Sequence, residues 1–156
     1  GVDILATCAN DGAAMMAELA ASGLMPDWIA MGPDGPTVAA GMSDHNGYEA
    51  LRIALFLAWS GDAKHPAVLQ QVKAYRASAT SDGTTPTVFD RLSGAVLSSS
   101  PDAGYAAIAA LVDCAVETTT GAALPAFSPQ QPYYPGTLHL MTLIAQITAY
   151  QRCFPL

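Results

Sequence analysis

Residues 48–59, YEALRIALFLAW, carry one carboxylate, Glu49, and one guanidinium, Arg52, in a segment otherwise apolar on nearly every side. A helix of that composition in a soluble protein has no face to give to solvent and belongs inside a ring of other helices. Ser60-Gly61-Asp62 stops it. Glu49 then stands in the first turn, where a carboxylate interacts favourably with the helix macrodipole or closes a capping box.

The segments around it read as further helices and short hairpins. Residues 12–24, GAAMMAELAASGL, place Met15, Met16, Leu19, Ala20 and Leu24 at helical spacing, with Asn10 or Asp11 as the N-cap and Gly23 at the end. Residues 66–77, PAVLQQVKAYRA, set Val68, Leu69, Val72 and Tyr75 on one stripe with Gln70, Gln71, Lys73 and Arg76 opposite, which predicts an outer, half-exposed helix. Pro101-Asp102 opens a second mostly apolar helix over 103–120, and Pro135 opens a third after a Pro-rich loop. Two hairpins are expected, one around Pro33-Asp34-Gly35 within 28–40, on a rim, and one within VFDRLSGAVL at 88–97. Alternating buried and amphipathic helices predict a mainly α fold, a toroid of helix pairs with a small β-hairpin, rather than a parallel sheet.

The 156 residues are enough for one domain, 1–156. They are 51% hydrophobic and 12% charged, against roughly a quarter charged in an average soluble domain. That deficit of polar surface implies a membrane, a large interface, or membership of a bigger folded body. A membrane span is excluded, because Ala50 to Trp59 is about half the roughly 20 residues required. Six Lys and Arg and a net charge of -7 exclude nucleic acid as a partner. Cys8, Cys114 and Cys153 have no metal-binding spacing, so no metal is expected, and they leave a disulfide open. No Gly-rich phosphate loop and no G-x-S-x-G element occurs, so neither a cofactor nor a serine nucleophile is expected. The opening GVDILATCAN lacks the features of a signal peptide and reads as a mature or internal start, an internal one being the expectation.

Four motifs in order, LMPDWIAM at 24–31 followed by its hairpin, GYEALRIALFLAW at 47–59, DAGYAAIAAL at 102–111 and PYYPGTLHLMTLIAQI at 132–147, resemble the C-terminal half of glycoside hydrolase family 8. Members of that family include bacterial endoglucanases associated with cellulose synthesis. The resemblance runs from about Gly23 to Tyr150. It implies about half of an (α/α)6 barrel and an inverting hydrolysis of a β-1,4-linked polysaccharide. The family's general acid, a glutamate, lies in an N-terminal half that nothing here matches. The resemblance therefore also implies a second polypeptide carrying that half, a second copy of this chain, or the rest of a longer protein. Periplasmic or secreted residence follows from the extracellular polymers the family acts on.

Where this chain has GYEALR the family usually reads Tyr-Asp-Ala-x-Arg, its aspartate being the base that activates water, and by position Glu49 takes that role. Inverting glycosidases hold their two carboxyl groups about 6.5 to 9.5 Å apart to admit that water. Asp44, in the approach SDHNGYE, is the alternative base, its bland reading being a turn or cap. Arg52 shares the face of Glu49, and the resemblance implies that it contacts substrate and holds the carboxylate ionised, its bland reading being a lone arginine paired with Glu49. Sugar rings stack on flat apolar faces, and Tyr48, Tyr105, Tyr133 and Tyr134 sit at N-terminal ends of their helices, which would converge on one rim. Trp28 is expected to pack the first hairpin onto a helix, Trp59 to lie in the core, and His139 to be a hydrogen-bonded packing residue. The competing reading is a non-catalytic glycan-binding or assembly subunit of an exopolysaccharide synthesis system, and a weaker one is a helical interaction module.

Overall fold

The computed structural model describes residues 2–117 and 120–154. Helix α2, Leu51–Trp59, buries Leu51, Ala54, Leu55, Leu57 and Ala58 against its neighbours. Those neighbours are α3 (Pro66–Ala77), α4 (Ala103–Val116) and α5 (Tyr133–Ala149), which give the shared core Val68, Val72, Ile108, Leu111, Val112, Leu138 and Ala145. The apolar run at 48–59 is thus the inner helix its composition demands. Phe56 on α2, and Leu140, Ile144 and Ile147 on α5, remain exposed, so the ring around α2 is open on one side.

Helix α1 spans Val2–Ala20, a correction to the expected start near Asn10 or Asp11. A cap is worth about 1 kcal/mol, and ILATCAN contains enough good helix formers for the helix to run through it. The expected last turn is also displaced. Leu24 leaves the helix because its N–H donates to the Arg91 carbonyl at 2.9 Å. His65 caps α3 through Nδ1, which accepts from the Ala67 N–H at 3.1 Å, and its Nε2 donates to the Ala13 carbonyl at 2.9 Å, tying α1 to α3.

Both hairpins form, as separate two-stranded antiparallel sheets. Strands β1 (Ile29–Gly32) and β2 (Gly35–Val38) pair Ile29 with Val38 and are largely exposed. Strands β3 (Thr85–Phe89) and β4 (Val96–Ser100) pair Thr85 with Ser100, and β3 buries Pro86, Thr87 and Phe89 against the helices. Helix α4 ends at Val116, short of Thr120, and residues 118 and 119 of that expected helix lie outside the described residues. Gln71, placed by sequence on the exposed stripe of α3, is buried.

The lower end of the bundle is tied by the chain after α5. Cys153, in a 3-10 turn over Gln151–Cys153, is bonded to Cys114 of α4 across a Cα–Cα distance of 6.0 Å. The Tyr150 hydroxyl donates to the last-turn carbonyl of Ala58 at 2.6 Å, and Arg152 Nη2 donates to the carbonyls of Cys114, Ala115 and Glu117. The C-terminal carbonyls of α2 and α4, which no helical N–H can reach, are satisfied this way. No helix among the described residues is long and apolar enough to cross a membrane.

Candidate active site

Glu49 sits in the turn that enters α2, one residue before the Ala50 cap, rather than within the first helical turn. What fixes that turn is a carboxylate from elsewhere. Asp27 Oδ1 accepts from the backbone N–H groups of Gly47, Glu49 and Ala50 at 3.0, 3.0 and 2.9 Å. Helix N-termini leave such donors unpaired, and α2 has no side-chain cap of its own. Asp27 fills that role from 22 residues upstream of Glu49.

The approach is closed by Gly47, where a Cβ would meet Asp27 Oδ2 at 2.5 Å. Asn46 beside it is buried, its Nδ2 donating to the Met25 carbonyl at 2.9 Å while its backbone bridges to Phe89 of β3. The turn bearing Glu49 is therefore held by two separate parts of the chain, residues 25–27 and Phe89 of β3. Sequence reading missed Asp27 and Asn46, since their partners lie some twenty residues away and no local pattern marks them.

The Glu49 side chain is paired with Arg52: Nη2 donates to Oε2, and both groups are partly exposed. Oε1 has no side-chain partner among the described residues. Beside this pair, three tyrosine rings gather. Tyr48 lies 6.1 Å from both Tyr105 and Tyr134, and Tyr105 lies 6.4 Å from Tyr134, in tilted and edge-to-face arrangements. The Tyr134 hydroxyl donates to the Tyr48 carbonyl, locking the N-terminal end of α5 to the turn before α2.

That convergence depends on how closely α4 and α5 approach. A Cβ on Gly104 would lie 1.9 Å from the Pro135 carbonyl, so only glycine lets the two helix starts meet, and the Gly104 N–H donates to Gln131 Oε1 at 2.9 Å. Burial pushes the Tyr105 phenol up to about 12, with Tyr48, Tyr134 and Asp102 adding to it, and raises that of Tyr134 as well. Near neutral pH these two remain protonated and do not act as bases; Tyr105 is buried and the Tyr134 hydroxyl is donated to Tyr48, so their part is to shape the site.

Tyr133, 88% exposed, does not join the cluster. It lines, with Arg52, Phe56, Tyr134 and Met141, an open groove of about 200 Å³ that runs from Arg52 along α5. Asp44 is placed elsewhere. It is half-exposed, lies 3.8 Å from His45 Nδ1, and lines a different cavity near the first hairpin. Trp59 is partly buried with Nε1 donating to Thr148 Oγ1 at 3.1 Å, and His139 is fully buried between Gln131 and the Pro125 carbonyl. Trp28 is 47% exposed, less packed than expected. Among the described residues no group of three His, Cys, Asp or Glu is placed to hold a metal ion.

Residues 1–148 match the sequence pattern of the glycosyl hydrolases family 8. Among solved structures the chain is similar to endoglucanase Cel10, a family 8 glycosyl hydrolase from Klebsiella pneumoniae, with a TM-score of 0.68 and 19% identity over 88% of this chain. It is also similar to the endo-beta-1,4-glucanase CMCax from Acetobacter xylinum, with a TM-score of 0.65 and 21% identity over 84% of this chain. The matches cover 43% and 42% of those two chains. The fold is accordingly mainly helical, part of a helical barrel. Among curated proteins none matches the sequence.

Proposed function

This chain belongs to family 8 of the glycosyl hydrolases, and from that premise we propose that it supplies the base side of a site hydrolysing a β-1,4-linked glucan with inversion. The observation that carries this reading is Glu49 itself. It is the carboxylate at the entry to the inner helix, fixed by Asp27, paired with Arg52 through one oxygen, and next to the three-tyrosine cluster.

In this reading Glu49 Oε1 takes a proton from a water as the water's oxygen attacks the anomeric carbon on the face opposite the leaving group. The glycosidic oxygen departs with a proton from a general acid on the other half of the barrel. Arg52, paired with Oε2, aims the glutamate. Tyr48 and Tyr134 wall the cleft with the buried Tyr105 packed behind them, and Tyr133, projecting over the groove along α5, offers an open face on which a sugar ring stacks. This reading gives the base to Glu49 and does not use Asp44, which lines another cavity.

The acid-bearing half would cover the open side of the ring, where Leu140, Ile144 and Ile147 form an apolar stripe. Periplasmic or secreted residence is supported by the Cys114–Cys153 disulfide, a bond that persists in oxidising compartments.

The test is release of reducing ends from carboxymethyl cellulose by this chain joined to an acid-bearing family 8 half. Glu49→Gln is expected to lower the rate about 10²- to 10⁴-fold while glucan affinity changes little. The chain covers less than half of each endoglucanase it resembles. Glutamate at position 49, where the family usually has aspartate, favours a second reading, a glycan-binding or assembly subunit. Glucan binding by the assembled wild type without cleavage at any pH would establish that reading instead.

A further inference from the structure

On the hairpin side of the molecule a cavity of about 270 Å³ opens between the end of α1 and the β1–β2 hairpin. Its apolar wall is made by Trp28, Pro36 and Val38, and its polar edge by Asp44, Ser22 and Arg91. Trp28 and Asp44 face the same space because their strands of chain are paired: the Asp27 N–H donates to the His45 carbonyl at 2.7 Å. Trp28 is nearly half exposed although it is the largest apolar side chain near the hairpin.

Arg91 is immobilised from the protein side. Its Nε donates to the Leu24 carbonyl and its Nη2 to Ser22 Oγ, both at 3.1 Å, and no carboxylate pairs with it among the described residues. The guanidinium has five N–H donors, so several remain for a ligand. Asp44 at the same groove supplies only acceptors when ionised.

We propose that this groove is a second, non-catalytic glycan-binding site that takes a neutral pyranose unit, its C–H face on the Trp28 indole and its hydroxyls shared between Asp44 and Arg91. An apolar peptide would bury both charges without partners, at a cost of several kcal/mol. An anionic sugar would meet the Asp44 carboxylate and a chain of net charge -7. A neutral polyol satisfies the acceptor and the donor at once and still covers the ring. The volume is below the roughly 300 Å³ at which pockets begin to enclose drug-sized ligands, which suits a stretch of polysaccharide lying across an open groove. The identity of the sugar rests on the hydrolase reading above, whereas the site does not use Glu49 or the tyrosine cluster. The two are joined through Asp27, whose carboxylate holds the Glu49 turn and whose neighbour is Trp28, and through the loop 44–49, which carries both Asp44 and Glu49.

The experiment uses the chain joined to its acid-bearing half and compares wild type with Trp28→Ala, Trp28→Phe and Val38→Lys. Two quantities are read: retention on insoluble cellulose, and turnover of a short soluble β-1,4 gluco-oligosaccharide. Loss of the indole is expected to weaken retention about tenfold, Phe to restore part of it, and Val38→Lys to weaken it, with soluble turnover unchanged. Unchanged retention in Trp28→Ala overturns the proposal while leaving the hydrolase reading intact. An equal fall in soluble turnover also overturns it, because Trp28 would then belong to the catalytic cleft. Retention that depends on Trp28 in a wild type that cleaves nothing would uphold this site and remove the hydrolase reading.

Discussion

Asp27 carries more of the candidate site than its place in the sequence suggests. Three backbone N–H groups converge on one of its oxygens, and hydrogen bonds to a charged group are each worth about 1.5–3 kcal/mol. Asp27→Ala is expected to lower unfolding stability by about 3 kcal/mol in urea titration and to reduce activity of the assembled enzyme mainly through kcat. Asp27→Asn keeps an acceptor oxygen and should recover part of both. Equal kcat in Asp27→Ala and wild type would show that the turn holds Glu49 without it. His139 gives a second residue-scale expectation. Burial lowers its pKa below the ordinary 6.5, so the folded state binds fewer protons than the unfolded one. The stability it contributes is complete above about pH 6.5 and is lost as pH falls below that value toward the folded pKa. The Tm of wild type should therefore drop on acidification from pH 7 to 5, and His139→Gln should flatten that part of the profile.

At the scale of elements, the convergence of α4 and α5 makes the tyrosine cluster. Gly104→Ala would force the helix starts apart, since its Cβ would stand 1.9 Å from the Pro135 carbonyl. Overpacking of this kind costs about 1–3 kcal/mol, and glucan affinity should fall with it as Tyr134 moves from Tyr48 and Tyr105. Which elements were legible in the sequence follows from the range of the forces that set them. Helix α3 has the expected bounds, Pro66 to Ala77, because proline at its first position and its apolar stripe are local signals. The inner position of α2 was legible because an apolar run has only one place to go. That α1 already runs through residues 2–10 was not, since Asn10 and Asp11 look like caps and are overridden by the helix formers before them. The Cys114–Cys153 pairing was left open for a related reason: it forms only where the chain after α5 turns back onto α4. Tyr48, Tyr105, Tyr133 and Tyr134 were anticipated at one rim from their places at helix starts; three of them gather and Tyr133 stands apart. Nothing in the tripeptide Pro26-Asp27-Trp28, by contrast, tells which distant N–H groups its carboxylate will accept.

For the molecule as a whole, the disulfide and the open side of the ring work on different equilibria. The bond between Cys114 and Cys153 closes 39 residues, and loop-closure entropy alone gives about 4 kcal/mol for a loop of that size. Reduction should lower the denaturation midpoint by a comparable amount without changing what the chain associates with. The α5 stripe should do the reverse. Leu140, Ile144 and Ile147 recur at helical spacing, all about half exposed, with exposed Phe56 on the neighbouring α2. Such a stripe on a helix that is otherwise packed is the face that the other half of the barrel would cover in the reading proposed above. If that half does bind there, the pair Ile144→Lys and Ile147→Glu should weaken its binding at least about tenfold in a titration of the two halves, while each variant unfolds at the wild-type urea midpoint. The same substitutions should also suppress self-association of the isolated chain in sedimentation velocity, since an uncovered stripe seeks another copy of itself when its own partner is absent. Unaltered binding of the half-barrel by both variants would mean that the toroid closes across a different face, and α1, with Ile4 and Leu5 exposed, would be the next edge to test.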